Sequence, residues 1–347
     1  MVIPGRMQTE SISRAGLIDA SRSGFPRCAL RYFLGISACF AAASACSAQE
    51  TPAPTIRVEV SRVNVGVTVT DARGKFLGGL KQSDFHVFDN GVEQPIAGFL
   101  ANDDPAQVVL MMECGPTMRL FGLENVQKAD AIITRLAPND RVAIVCYSSG
   151  PRLEFDFSSD QAASRFALRN LTFKNGSADL SLSKSLLQVL DWLAKIPGKK
   201  AVVLIGTGVD SAPPQTPSQY QERIIASEVR VLAVSTSLPF KKLPKKRKHA
   251  LDDVENRAIL KESLKDADVE LKGLTAATGG HVYFPKNTKD YDKIYAEIAQ
   301  LVRHEYNLAF TPQTFDGKLH TLTVTVTAKH AASVDHRQAY LAPPQNK

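Results

Sequence analysis

The sequence contains 347 residues, of which 44% are hydrophobic and 22% are charged, and its formal net charge is +7. A chain of this length exceeds one small domain and suits a large domain with a smaller one. The composition is that of a globular protein with a real core. It excludes an intrinsically disordered chain and a multi-span membrane protein.

The first 48 residues have the pattern of a secretory signal. Arg27 and Arg31 precede an apolar stretch over residues 32–43, which is followed by small residues and is too short to span a bilayer comfortably. We predict a signal peptide over residues 1–48 and a Pro-containing linker over residues 49–55. The mature chain is then exported and is periplasmic, outer-membrane-associated or extracellular. Residues 43–46 also resemble a lipoprotein processing sequence, so a lipid anchor at Cys46 is the alternative to simple cleavage.

Removal of this leader reduces the basic surplus. Five of the 42 basic and two of the 35 acidic residues lie in residues 1–48, which leaves 37 basic and 33 acidic residues. Such a mild surplus does not indicate nucleic-acid binding. The densest basic run, at residues 241–249, lacks interleaved aromatic side chains. We interpret it as a solvated loop, with a patch for an anionic surface as the alternative.

The next segment has a β pattern. Apolar β-branched residues alternate from Ile56 to Val69, which indicates half-buried strands, and residues 85–88 predict another strand. Asn90 and Gly91 tolerate positive φ and predict a hairpin turn before an edge strand over residues 94–99. Residues 56–101 are therefore predicted to form one part of a β-sandwich.

From residue 106 to residue 302, strands alternate with helices. Continuous apolar runs predict strands that are buried on both faces at residues 108–112, 142–147, 201–205 and 229–234. Residues 152–157 predict an edge strand, and residues 281–284 a short last strand. Apolar residues at helical spacing predict helices over residues 120–136, 160–170, 177–194, 220–227, 254–278 and 291–306. Gly279-Gly280 is predicted to cap the long helix. This order predicts an α/β fold with a doubly wound, mostly parallel sheet.

The last part of the chain returns to β structure. Residues 306–311, 319–328 and 337–341 predict strands. Neither flank has enough strands to be stable alone. We therefore predict that residues 303–343 pair with residues 56–101 in a small discontinuous β-sandwich built from both flanks.

Several short stretches, in this order, resemble a secreted bacterial family related to the von Willebrand factor type A domain, first recognised in acidobacteria. The stretches are residues 80–85 (LKQSDF), 89–91 (DNG), 140–145 (DRVAIV), 197–205 (PGKKAVVLI), 278–280 (TGG) and 337–343. The resemblance covers about residues 56–343. It implies a type A, Rossmann-like body with a metal-dependent adhesion site at the carboxyl edge of the sheet.

The resemblance also shows which ligands of that site have changed. In the family pattern D-x-S-x-S, the positions of Asp, the first Ser and the second Ser are occupied here by Glu113, Gly115 and Thr117. On the second loop Ser177 stands at the position of the family's Thr, and on the third loop Thr207 replaces the second Asp. Divalent cations need oxygen ligands with carboxylate charge. Glutamate also displaces its carboxylate by about 1.5 Å relative to aspartate, against Mg²⁺–oxygen distances of about 2.1 Å.

We therefore predict a ligand-binding loop cluster that holds no metal and needs no cofactor. Its members are Glu113, Thr117, Ser177, Thr207 and Asp210. Bound Mg²⁺ or Mn²⁺ is the alternative, for which Glu113, Thr117 and Ser177 are the weak candidate ligands.

Two of the five cysteines, Cys114 and Cys146, lie in the mature chain at the ends of predicted neighbouring strands. They are interpreted as two separate semi-buried thiols. A disulfide between them is the alternative, since it requires Cα atoms about 4.4–6.8 Å apart and an oxidising compartment.

No catalytic residues are predicted, because we recognise no nucleophile–base pair, zinc motif or phosphate-binding loop in the sequence. The sequence favours a secreted, non-enzymatic protein-binding or adhesion module with a degenerate metal-dependent adhesion site. A cell-envelope scaffold or assembly component is the alternative, and a hydrolase with an unrecognised site is less favoured.

Overall fold

The computed structural model describes residues 62–102, 105–115, 118, 128–173, 179–214, 216–241 and 254–344. The predicted leader, linker and alternating pattern over residues 56–60 lie outside this set, as do residues 242–249 of the basic run. No described helix is both long enough and apolar enough to cross a membrane.

The described strands are β1 Val63–Thr70, β2 Phe85–Asp89, β3 Val92–Gln94, β4 Gly98–Asn102, β5 Ala106–Glu113, β6 Arg141–Tyr147, β7 Pro151–Ser158, β8 Lys199–Gly206, β9 Arg230–Ser235, β10 Val282–Tyr283, β11 Glu305–Phe310, β12 Leu319–Val326, β13 Ser333–His336 and β14 Ala339–Leu341. The described α-helices are α1 Asp130–Ile133, α2 Gln161–Arg169, α3 Leu182–Leu193, α4 Pro217–Ala226, α5 Leu238–Lys241, α6 Val254–Ala277 and α7 Asp290–Arg303. A 3₁₀ turn covers Gln82–Asp84.

The central sheet has the strand order β10-β9-β8-β5-β6-β7, and only the edge strand β7 is antiparallel to its neighbour. Successive residues of β5 enter different cores: Leu110 packs with α1 and α7, and Met111 packs with α3, α4 and α6. Burial on both faces explains why the strands read as continuous apolar runs. The predicted α/β fold with a doubly wound, mostly parallel sheet is confirmed.

Two four-stranded sheets form the sandwich, and both combine strands from the two flanks. One has the order β13-β1-β11-β4 and the other β14-β12-β2-β3. Their inner faces share one apolar core that includes Val65, Val87 and Phe310. The predicted sandwich built from both flanks is therefore confirmed. Strand β13 was not predicted, because its sequence SVDH has no apolar alternation; it is held through pairing with β1.

The hairpin between β2 and β3 has the predicted turn, with φ of 47° at Asn90 and 81° at Gly91. Asp89 before it is buried. Its Oδ1 lies 2.7 Å from Nδ1 of His320, and its Oδ2 accepts a hydrogen bond of 2.8 Å from the Tyr340 hydroxyl. The turn residues therefore form the hairpin, and the aspartate ties it to β12 and β14.

Some helix boundaries differ from the prediction. The helix predicted over residues 177–194 begins at Leu182, because Ser181 N donates to Ser148 O and Leu180 N to Ser211 Oγ in neighbouring loops. The helix predicted to reach residue 306 ends at Arg303, where the chain enters β11. Gly279 has a φ of 70° after α6, as its predicted capping role requires.

A buried ionic cluster joins the sandwich to the α/β body. Glu305 at the start of β11 lies 3.0 Å from Arg230 and 3.5 Å from Lys199, which begin β9 and β8. Arg230 also donates to Thr68 Oγ1 on β1 at 2.5 Å. Side chains from both flanks and from two strands of the central sheet thus meet at one point.

Candidate binding site at the carboxyl edge of the sheet

Three strand ends build the site. In register, Glu113 at the end of β5 pairs with Tyr147 at the end of β6, and Met112 pairs with Ile205 near the end of β8. The chain leaves β8 through Gly206 and Thr207. Parallel strands present their carboxyl ends at one edge of a sheet, so residues far apart in sequence meet here.

Glu113 is the centre of this arrangement and is 0% exposed. Its Oε2 accepts hydrogen bonds from Thr207 N and from Thr207 Oγ1, both at 2.6 Å, and a longer one of 3.4 Å from the Tyr147 hydroxyl. Its Oε1 is buried and has no hydrogen-bond partner among the described residues. Burial raises the pKa of Glu113, and the hydrogen bonds from Thr207 partly oppose this shift.

Gly206 permits this close packing. A Cβ at this position would lie 2.4 Å from the Tyr147 hydroxyl and 2.9 Å from both Glu113 Cβ and Oε2. Both distances are too short for non-bonded atoms, so any side chain here would separate Glu113 from Tyr147. Tyr147 and Gly206 were not identified from the sequence, although their places at the ends of predicted strands could have indicated them.

Asp210 serves a different element. Its Oδ2 accepts a hydrogen bond of 2.8 Å from Ser183 N and another from the Ser183 hydroxyl, and its Oδ1 accepts one of 3.0 Å from Ala212 N. The carboxylate therefore caps the first turn of α3. Of the five predicted residues, Glu113 and Thr207 are brought into direct contact, while Asp210 binds α3. Thr117 and Ser177 lie outside the described residues.

Cys114 and Cys146 form a disulfide, with Cα atoms 5.5 Å apart. Of the two interpretations that the sequence left open, the separate thiols are thus wrong. Cys114 N also donates to Tyr147 O at 2.8 Å. A covalent bond and a hydrogen bond together hold the start of the first loop against β6.

The comparisons with known proteins agree with this architecture. Residues 116–209 match the family model of the von Willebrand factor type A domain. The α/β body thus resembles a type A domain. No curated protein sequence matches the chain.

Several solved structures are similar to the chain. A von Willebrand factor type A protein from Catenulispora acidiphila is 11% identical over 75% of this chain and 73% of that one, with a TM-score of 0.43. Proximal thread matrix protein 1 from the mussel byssus, in a form with a zinc-occupied MIDAS motif, is 11% identical over 61% of this chain and 49% of that one, with a TM-score of 0.42. BatB from Bacteroides thetaiotaomicron is 15% identical over 56% of this chain and 98% of that one, with a TM-score of 0.37.

The carboxylates described at this edge are engaged in hydrogen bonds within the protein. Glu113 Oε2 already accepts two short hydrogen bonds from Thr207, and the Asp210 carboxylate caps α3. No group of three His, Cys, Asp or Glu residues with metal-binding geometry occurs in the described part of the chain. Magnesium requires about six oxygen ligands in near-octahedral geometry. Of the four oxygens of these two carboxylates, the described residues leave Glu113 Oε1 alone without a hydrogen-bond partner, and this oxygen is buried.

Proposed function

We propose that this chain is a secreted, non-enzymatic protein-binding or adhesion module whose degenerate metal-dependent adhesion site contacts its partner without a divalent cation. The proposal depends on one observation. Glu113 is fully buried, and its Oε2 accepts two hydrogen bonds of 2.6 Å from Thr207.

The geometry supports a contact made through loop shape and neutral hydrogen bonds. In a metal-dependent site an open coordination position on the cation accepts a carboxylate from the partner. Here Glu113 Oε2 and Asp210 Oδ2 accept hydrogen bonds from Thr207 and Ser183, and Glu113 is fully buried, so these two oxygens are not open to an ion that would bridge to a partner. The disulfide holds the start of the first loop, at Cys114, against β6.

Burial also argues against hydrolysis at this edge. Among the described residues of this edge, a threonine or serine hydroxyl bonds to a carboxylate at Thr207 with Glu113 and at Ser183 with Asp210, and both hydroxyl residues are buried. A nucleophile must reach its substrate as well as its base. These pairs therefore serve the structure of the loops.

The disulfide supports export, because disulfides persist mainly in oxidising compartments such as the periplasm and the exterior. The signal peptide, the lipid anchor at Cys46, the anionic surface for residues 241–249 and the acidobacterial type of the family stay predictions. A scaffold role, in which the sandwich docks and the type A domain acts as a spacer, is the alternative.

The first test is isothermal titration of the mature protein with Mg²⁺ and Mn²⁺. We expect neither ion to bind at micromolar concentrations. Micromolar binding of either ion would refute the cation-free site.

The second test is capture of partners from an envelope extract of the source cells, with and without EDTA. Ala212→Arg places a bulky charge on the exposed loop after β8, and Ala162→Arg is the matched control on α2, at the opposite edge of the sheet. We expect EDTA to have no effect and Ala212→Arg alone to lose the partner. If both variants retain every partner, the scaffold alternative is favoured.

A further inference from the structure

A groove of about 700 Å³ lies beside the loop after β8, between α4 and α6. Its floor is made of small or apolar residues, including Gly208, Ala267, Leu274 and Ala277. Gly273 opens it further, because a Cβ at this position would meet no atom within 4 Å. The groove is deep enough to receive side chains of another molecule.

The charges along this groove have one sign. Among its described lining residues, Asp210, Asp266 and Glu270 are acidic, and no lysine, arginine or histidine accompanies them. Asp266 and Glu270 are exposed, lie four residues apart on α6, and form no ion pair with a described residue. Like charges at this helical spacing repel each other, and a cation placed between them would relieve the repulsion.

A largely buried tyrosine also lines the groove. Tyr220 on α4 lines it, is only 7% exposed, and its hydroxyl has no hydrogen-bond partner among the described residues. Burial and the carboxylates of Glu270 and Asp210 raise the pKa of Tyr220, so the hydroxyl stays protonated near neutral pH. This hydroxyl at the groove is therefore available to hydrogen-bond a polar group of an occupant.

Exposed apolar surface borders these groups. Val269 on α6 is 68% exposed, and Pro213 and Pro217 line the rim of the groove. Apolar walls next to unpaired carboxylates suit a chain that carries both cationic and aliphatic side chains, since Lys and Arg stems pack on apolar surface while their charged ends reach the carboxylates.

We propose that this groove binds a lysine- or arginine-bearing extended segment of a partner protein. The cationic groups contact Asp266 and Glu270, a polar group of the segment satisfies the Tyr220 hydroxyl, and aliphatic side chains cover the apolar floor. This contact is additional to the proposed cation-free loop contact and does not depend on it.

The test is fluorescence anisotropy on the full mature chain with a labelled short peptide of alternating lysine and leucine. A peptide of alternating glutamate and leucine is the charge-reversed probe. We expect only the lysine peptide to bind, with an affinity that falls as salt is added.

Variants localise the contact. Each of Glu270→Gln and Asp266→Asn is expected to weaken lysine-peptide binding about threefold, and the double variant about tenfold. Gly273→Leu should abolish binding of the lysine peptide, because the new side chain fills the groove. Leucine forms helices better than glycine does, so a failure to fold would not explain the loss of binding. Glu262→Gln removes the same charge from α6 outside the groove and should bind as the wild type does.

Three results would overturn the proposal: no binding of the lysine peptide, equal binding of both peptides, or equal binding by the groove variants and Glu262→Gln. Ala212 lies between the groove-lining residues Ser211 and Pro213, so Gly273→Leu is also carried through the capture experiment. A partner that Ala212→Arg loses and Gly273→Leu keeps belongs to the loop contact, and the two proposals can then fail separately.

Discussion

Replacement of Glu305 by glutamine tests the ionic cluster between the sandwich and the α/β body. The Glu305 side chain is 14% exposed, and those of its partners Arg230 and Lys199 are 8% and 7% exposed. Glu305→Gln keeps the shape of the side chain and removes its charge. Two cations then remain buried beside each other without a carboxylate.

The expected loss of stability follows from these distances. At 3.0 and 3.5 Å and an effective dielectric constant near 20, each pair has roughly 5 kcal/mol of Coulomb attraction, which desolvation of the ions largely offsets. Breaking a buried pair costs about 3–5 kcal/mol. Because the substituted amide still accepts one hydrogen bond, we expect about 3 kcal/mol, which lowers the melting temperature by about 6–12 °C.

Lys199 makes this loss depend on pH. Burial lowers the pKa of Lys199, and the charge of Glu305 opposes that shift. Without the carboxylate the pKa falls further, so the folded state binds this proton less tightly than the unfolded state does. Stability is then lost as pH falls through the folded pKa of Lys199 and is regained toward alkaline pH.

Urea denaturation across a pH series measures both effects. Glu93→Gln is the matched control, since Glu93 is exposed and its loss should change stability by no more than about 0.5 kcal/mol. Adding Lys199→Met to Glu305→Gln should recover part of the loss. If Glu305→Gln destabilises the protein no more than the control does, the cluster does not hold the two parts together.

Three further perturbations test the site. Burial raises the pKa of Glu113 in the folded state, so the protonated side chain contributes to the free energy of unfolding in full below a carboxyl's ordinary pKa of about 4.3. This contribution should decline as pH rises through the higher pKa of the folded state. Denaturation across a pH series should show the decline in the wild type and not in Glu113→Gln. Replacing Cys114 and Cys146 by serine should cost about 4 kcal/mol for this 32-residue separation, measured as a lower denaturation midpoint that reductant no longer changes. Gly206→Ala should cost about 1–3 kcal/mol by thermal denaturation, whereas Gly150→Ala, with no atom near the added Cβ, should be neutral.

Most of the fold could be predicted because its signals are local. The run over residues 108–112 is apolar without interruption, as a strand with helices on both faces must be, and β5 covers it. Strand β13 lacked such a signal because it is stabilised by backbone pairing with β1 and only partly by burial. The start of α3 was placed too early because contacts with other loops hold Leu180 and Ser181 outside the helix.

The sequence by itself determined which oxygen ligands this edge of the sheet can offer. Glycine at position 115 offers no side-chain oxygen and threonine at position 207 offers a neutral hydroxyl, and folding cannot change either. Only the tertiary structure decided how the remaining carboxylates are used: Glu113 bonds to Thr207, 94 residues away, and Asp210 to Ser183, 27 residues away. Such partners depend on which strand and helix ends meet in space, and local residue patterns do not encode that.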